Sequence, residues 1–301
     1  MPRRRRGPTV SRAVAIVVVA VVTVLVAVAA VLAFQHARPS GTAATAAPVP
    51  TFSLGVDVGS PATPSPTATT PPSAGDRFLT VGSDALWRAT AGRCGVTEPR
   101  VERSTDGGSS WTDITPRYKG IAQVGALDPL GDSAAQMVAA LGEKCDVEGI
   151  RTFTRGRFWE PNKDVIAPAR YIDFHDAGVV VTPGGEIAAP CASAHGLRAT
   201  GPVVALVCGK TAYVVTGDSW TKLPATRVAA VAVSSGTVIV AHDGNQCRGL
   251  TLTEYPEGHP SAGNMVGCAV DADAGKQTAI AVGGDGGIYV WSGESFELVR
   301  P

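Results

Sequence analysis

Ser104-Thr105-Asp106-Gly107-Gly108-Ser109-Ser110-Trp111 is the stretch on which the reading of this 301-residue chain turns. Asp106 can turn its carboxylate back onto the amides that follow it, as Asx turns do. Gly107 and Gly108 supply the positive φ of a tight hairpin. Trp111 opens the next strand and is expected to bury its ring between neighbouring sheets. The eight residues predict one rigid β-hairpin with an aromatic wedge, flanked by strands.

Working outward, parts of this stretch recur. Thr152-Phe153-Thr154-Arg155-Gly156-Arg157-Phe158-Trp159 keeps the Gly and the Trp but loses the Asp. Tyr213 to Trp220 keeps Gly217 and Trp220, and Tyr289 to Phe296 keeps Gly293 and an aromatic. Short apolar runs precede the echoes: Ala85 to Thr90, Ala135 to Leu141, Pro202 to Val207 and Thr237 to Ala241. Strands of 4–8 residues with turn chemistry between them predict an all-β array of four-stranded sheets. Ser133 to Leu141, the best helical candidate after residue 76, reads as a strand by its place in the repeat. The expected units are 76–118, 119–164, 165–190, 191–224, 225–261 and 262–301, the third being short. Five to seven blades fit, with six favoured.

The pattern S-x-D-x-G-x-x-W, carried by Ser104, Asp106, Gly108 and Trp111, resembles the Asp box of the BNR-repeat families: sialidases, sortilin-type receptors and photosystem assembly factors. The resemblance implies a β-propeller of the WD40/YVTN/BNR-like kind. It implies no activity, because Asp boxes in these families are structural turns on the rim, away from the axis.

The N-terminus predicts the compartment. Ala13 to Phe34 is 22 residues with one polar member, Thr23. As a helix it would span roughly 33 Å, enough for a ~30 Å hydrocarbon core. Arg3, Arg4, Arg5, Arg6 and Arg12 precede it, which places residues 1–12 in the cytoplasm and everything after Phe34 outside. The run exceeds an ordinary signal-peptide core of about 7–15 residues, so an uncleaved anchor is expected, although Ala29-Ala30 and Ala37 leave cleavage open. Residues 35–75 hold eight prolines, twelve Ser or Thr and two charges. That composition builds no core and predicts an extended stalk reaching on the order of 100 Å. Phe52 to Val56 is its one apolar island.

Charge changes meaning once the chain is divided. Residues 76–301 carry 20 basic and 25 acidic residues, which argues against nucleic acid or anionic lipid as the domain's ligand. All six cysteines, Cys94, Cys145, Cys191, Cys208, Cys247 and Cys268, lie in this part. An even count in an exported domain predicts disulfides. Their places in the repeat favour the pairs 94–145, 191–208 and 247–268 as local or adjacent-blade bridges. No C-x-x-C and no spaced Cys/His pair points to a metal.

An enzyme reading rests on the sialidase resemblance alone. Sialidases of this family carry a Phe-Arg-Ile-Pro motif, an arginine triad, an Asp acid/base and a Tyr/Glu nucleophile pair. No Phe-Arg-Ile-Pro stands here, and Pro99-Arg100 and Arg170-Tyr171 do not replace it. Arg88, Arg100, Arg155, Arg170 and Arg227 are among the fourteen arginines of residues 76–301 that could supply three. Tyr171 and Asp173 lie close in sequence, but a nucleophile needs a base in contact. Asp271-x-Asp273 with Gly275 lacks the spacing and distal Glu of a Ca²⁺ loop. His175, His195, His242 and His259 are scattered. Gly283 to Gly287 is a hairpin turn without the Lys-Ser/Thr of a phosphate loop. No catalytic, cofactor or metal residue is therefore assigned. The expectation is a single-pass membrane protein whose extracytoplasmic propeller, 76–301, binds a protein or glycan. The alternative is a sialidase-type glycoside hydrolase.

Overall fold

The computed structural model describes residues 69–301 except 217–218 and 257–258. The tail, the span 13–34, the stalk to residue 68 and the island Phe52 to Val56 lie outside them. Among the described residues no helix is long and apolar enough to cross a membrane.

The described residues form a six-bladed β-propeller, each blade an antiparallel meander in sequence order. Blade 1 is β1 Arg77–Val81, β2 Leu86–Thr90, β3 Arg100–Ser104 and β4 Thr112–Asp113. Blade 2 is β5 Ile121–Pro129, β6 Ala135–Leu141, β7 Asp146–Thr152 and β8 Glu160–Pro161. Blade 3 is β9 Tyr171–Ile172, β10 Val179–Thr182 and β11 Gly185–Ala188. Blade 4 is β12 Ala194–Thr200, β13 Val203–Cys208, β14 Thr211–Thr216 and β15 Ser219–Thr226. Blade 5 is β16 Val228–Ser234, β17 Thr237–His242, β18 Leu250–Pro256 and β19 Asn264–Ala269. Blade 6 is β20 Thr278–Val282, β21 Ile288–Ser292 and β22 Ser295–Val299.

The apolar runs become strands because each blade is covered on both faces. Val203–Cys208 is buried at every position, as a strand inside a stack of sheets must be, so it reads as a continuous run rather than an alternation. The outermost strands of blades 1 and 2 are two residues long and exposed. Short exposed edges resist pairing with other chains.

Six apolar clusters fill the six seams between blades, and this closes the ring. Trp87, Met137 and Trp159 lie between blades 1 and 2. Val138 and Phe174 join blades 2 and 3, and Val180 and Leu206 join 3 and 4. Leu223 and Val240 join 4 and 5, Leu252 and Ile288 join 5 and 6, and Leu79 and Trp291 join 6 to 1. The first strand of each blade lines the central channel.

Two expectations need correction. Blades 3 and 6 have three strands among the described residues, not four. The division at 261/262 cuts blade 5, because Asn264–Ala269 pairs with Leu250–Pro256. The turn-rich stretch Pro256 to Gly263 looks like a blade boundary in sequence, but strands of the same blade stand on either side of it. The division at 224/225 likewise falls inside Ser219–Thr226.

Candidate functional site

A meander has two rims. In blades 1, 2, 4, 5 and 6 the turns after the first and third strands lie at one rim, which we call the hairpin rim, and the turns after the second strand lie at the other, the linking rim. Blade 3 runs the opposite way: Arg170, just before β9, lies at the hairpin-rim mouth, and Ala177, in the turn after β9, lies at the linking rim.

The Ser104 to Trp111 stretch is a third turn, on the hairpin rim of blade 1. Ser104 Oγ donates to Asp106 Oδ1 at 2.7 Å and accepts from the Gly108 amide at 2.9 Å. Asp106 accepts from the Ser110 amide at 2.9 Å and from the Ser110 hydroxyl at 2.5 Å. The bonds from Ser110, then Ser104, hold the Asp106 carboxyl down at about 2. Trp111 Nε1 donates to the Gly108 carbonyl at 3.0 Å. Gly108 has φ +93° and faces Phe296 of blade 6, whose ring leaves no room for a Cβ. Trp111 is only half-buried, wedged edge-on against Phe296 with the Arg88 guanidinium 4.0 Å from its ring centre.

Thr152 to Trp159 is the same turn in blade 2, built without the Asp. Thr152 Oγ1 accepts from the Thr154 and Gly156 amides, both at 3.1 Å. Thr154 Oγ1 accepts from the Phe158 amide at 2.8 Å, taking the place of the Asp106 carboxylate. Trp159 Nε1 donates to the Gly156 carbonyl at 3.0 Å. Here the Trp is fully buried, edge-on to Trp87. The fourth echo is out of phase: Gly293 lies in the second turn of blade 6, between Ile288–Ser292 and Ser295–Val299. Its counterpart in blade 4 is Gly209 rather than Gly217.

The cysteines form three disulfides: Cys94–Cys145, Cys191–Cys208 and Cys247–Cys268. All lie at the linking rim. The first ties the second turns of blades 1 and 2. Cys268 stands on the outer strand of blade 5. Three disulfides fit an oxidising, extracytoplasmic setting.

The channel holds the charges that the sequence reading missed. Arg198, on the innermost strand of blade 4, donates to the Leu197 and Arg77 carbonyls at 2.7 and 2.5 Å. A bulge between His195 and Arg198 breaks the register with Val203–Cys208, and bulges re-aim side chains. Burial pulls the guanidinium down to about 10, against the attraction of Asp76 and Asp128. It remains a cation at neutral pH. Asp76 is buried at the linking-rim end, and loss of hydration pushes its carboxyl up to about 7, opposed by Arg198 and the Gly196 amide. Asp128 lies toward the hairpin rim. Its side chain is open to the channel, but the surrounding walls hold back bulk solvent and raise its pKa, opposed by Arg198 and Gln136. A cation is thus placed in the field of two carboxyls whose charge is set by burial.

The hairpin-rim mouth is a cavity of about 350 Å³, with Asp128, Gln136, Arg170, Arg198 and Thr200 in its lining. A second opening of about 380 Å³ at the linking rim includes Asp76, Arg93 and His195. A shallow groove of about 570 Å³ runs over the seam of blades 6 and 1, between Asp84, Thr105 and Asp285.

The other sequence candidates are placed apart. Of the named arginines only Arg170 reaches the channel; Arg88 and Arg100 pair with Glu102, and Arg227 pairs with Asp243. Arg155 is on the blade 2 hairpin. Tyr171 packs against Phe174, while Asp173 caps a turn by accepting from the His175 and Asp176 amides. Asp273 accepts from the Gly275 amide, and Gly283 pairs with Gly287 across its hairpin. His242 bonds Thr253, and His195 is held below its ordinary pKa by burial.

No family model and no curated protein matches this chain. Solved structures of similar shape include YCF48 from Cyanidioschyzon merolae, at 15% identity and TM-score 0.40, covering 74% of this chain and 81% of that one. The Aleuria aurantia lectin, in complex with Fucα1-6GlcNAc, has 12% identity and TM-score 0.42, covering 77% and 97%. The propeller domain of a Pyrococcus furiosus protease has 8% identity and TM-score 0.38, covering 75% and 95%.

Proposed function

We propose that this chain is a membrane-tethered, extracytoplasmic β-propeller that binds a protein or glycan at the hairpin-rim mouth of its channel. In this reading residues 1–12 are a cytoplasmic tail, 13–34 the anchor, 35–75 the stalk and 76–301 the binding domain. The turn of Ser104, Asp106, Gly108 and Trp111 is a structural Asp box. The observation that carries the binding reading is the convergence of Asp128, Gln136, Arg170 and Arg198 on one cavity. A concave site with a few convergent polar groups is the default place for a ligand. A guanidinium, a carboxyl and an amide together offer donors and acceptors to the hydroxyls of a sugar or to a peptide backbone.

The test is a glycan array and surface cross-linking with the full chain, repeated with Arg170→Gln and Asp128→Asn. A bound glycan or protein should be lost in both variants and kept in Asp106→Ala. A ligand held equally by all forms would move the site away from the channel. Turnover of an aryl sialoside, lost in the channel variants, would favour the glycosidase instead.

A further inference from the structure

We infer that the blade 2 hairpin is a docking surface for an anionic lipid bilayer. The inference rests on the proposed tether only in that the tether keeps the domain beside a membrane. Three aromatic side chains stand out as exposed among the described residues: Tyr118 at 59%, Phe153 at 66% and Phe158 at 64%. Two of them share one turn, and the third reaches it from the connection between blades 1 and 2. Phe153 and Phe158 flank the turn at Gly156. Tyr118 reaches the same hairpin, its hydroxyl accepting from the Trp159 amide and donating to the Trp159 carbonyl.

Arg155 and Arg157 sit between the two phenylalanines, both exposed. The exposed Arg100, Arg117, Arg227 and Arg300 each pair with a carboxylate; Arg155 and Arg157 have no ion pair or side-chain hydrogen bond among the described residues. Two carboxylates adjoin the turn: Glu160 on the next strand, and Asp132 beside the Ser133 carbonyl that accepts from the Arg155 amide. The Ser83 hydroxyl donates to Asp132.

The scaffold is rigid. Hydroxyls of Thr152 and Thr154 hold the turn from within, and Trp159 anchors it from below. Exposed apolar rings on a fixed turn are not waiting to fold inward.

The shape selects the partner. Phe153, Arg155, Arg157 and Phe158 are all exposed around a turn whose Gly156 and Trp159 are buried, so the turn presents a projection. A projection of aromatics and unpaired arginines matches a flat surface with anionic headgroups above an apolar layer. A peptide would need a groove to lie in. The negative balance of the whole domain argues against lipid binding in general, and here it has a different effect: it leaves this hairpin as the face that approaches an anionic membrane.

The experiment uses the full chain in vesicles of brominated phosphatidylcholine, with or without about one-third phosphatidylglycerol. Phe158→Trp supplies an exposed indole reporter, and wild-type protein gives the background from the other tryptophans. Excess quenching is expected with phosphatidylglycerol. Adding Arg155→Gln and Arg157→Gln should weaken docking about thirtyfold. Phe153→Trp serves as a second reporter if Phe158→Trp does not fold. No excess quenching, or excess that is equal without phosphatidylglycerol, overturns the inference. So does protection of the reporter by poly-glutamate with no lipid quenching, which would make the partner an acidic polypeptide. Carbonate extraction of the same vesicles reads the anchor separately. Chain that washes out defeats the anchor alone, and the released protein added back to fresh vesicles still decides the docking surface.

Discussion

Trp111 and Trp159 occupy the same position in two copies of one turn, yet their surroundings differ. Trp159 is enclosed between two blades, whereas Trp111 is half-open against Phe296. Trp159→Ala should therefore cost about 3–5 kcal/mol, the usual range for a buried aromatic truncated to Ala. Trp111→Ala should cost about half as much or less. Urea melts of the two variants decide this, and an equal or inverted order would refute the seam assignment. Asp76 makes a second prediction at this scale. Its folded pKa, about 7, lies above its unfolded value. The folded protein then holds an extra proton between roughly pH 4 and 7. The stability this contributes is full below pH 4 and is lost as pH rises through 7. Asp76→Asn keeps an acceptor for the Gly196 amide and removes the titration. Wild-type stability should fall across this window relative to the variant, by up to about 4 kcal/mol for a shift of this size. Parallel stability curves for the two proteins from pH 4 to 8 would contradict a buried, raised Asp76.

The blade is the next scale. The third turn of blades 1 and 2 is one device made from two sets of residues, and the Thr154 hydroxyl shows why sequence undercounts it. One short acceptor at that position suffices, and an Asp is only one way to supply it. The Gly293 echo misled for the opposite reason. A two-residue Gly hairpin followed by an aromatic fits any tight turn of a meander, so composition alone does not say which turn it is. The disulfides act at this scale as well. Cys94–Cys145 closes a separation of 51 residues across two blades, and Cys191–Cys208 one of 17. Chain entropy makes the longer closure worth about 1 kcal/mol more. Replacing Cys94 and Cys145 by Ser should lower the unfolding free energy more than replacing Cys191 and Cys208. Alkylation of the unreduced protein should label none of the six. Two or more labelled thiols would break the pairing scheme.

At the scale of the whole molecule, one rim is cross-linked and the other is not. The three disulfides all lie at the linking rim, while the Asp106 and Gly156 turns and the polar channel mouth lie at the hairpin rim. The proposed topology predicts carbonate-resistant membrane association, with the propeller open to protease on intact cells. Soluble protein beginning near residues 30–40 would remove the anchor and leave export in place.

What the sequence determined by itself was local. The turn at Asp106, its Thr-for-Asp copy and the strand runs are short-range patterns set by turn chemistry and side-chain period; their repetition allowed five to seven blades, and ring closure fixed six. The even cysteine count predicted disulfides, and blade order only favoured the three pairs that the folded ring brings together. The channel could not be read that way. Asp76, Asp128 and Arg198 are far apart in the chain, and each looks like an ordinary charge at a strand end; Asp128 and Arg198 within otherwise apolar inner strands were the one available hint. Only ring closure brings them around a common axis, where exclusion of bulk water shifts their pKa values. The same closure decided that Trp111 is half-exposed and that Phe153, Phe158 and Tyr118 share one projecting edge. Burial depends on which blade becomes the neighbour, and no local pattern encodes that.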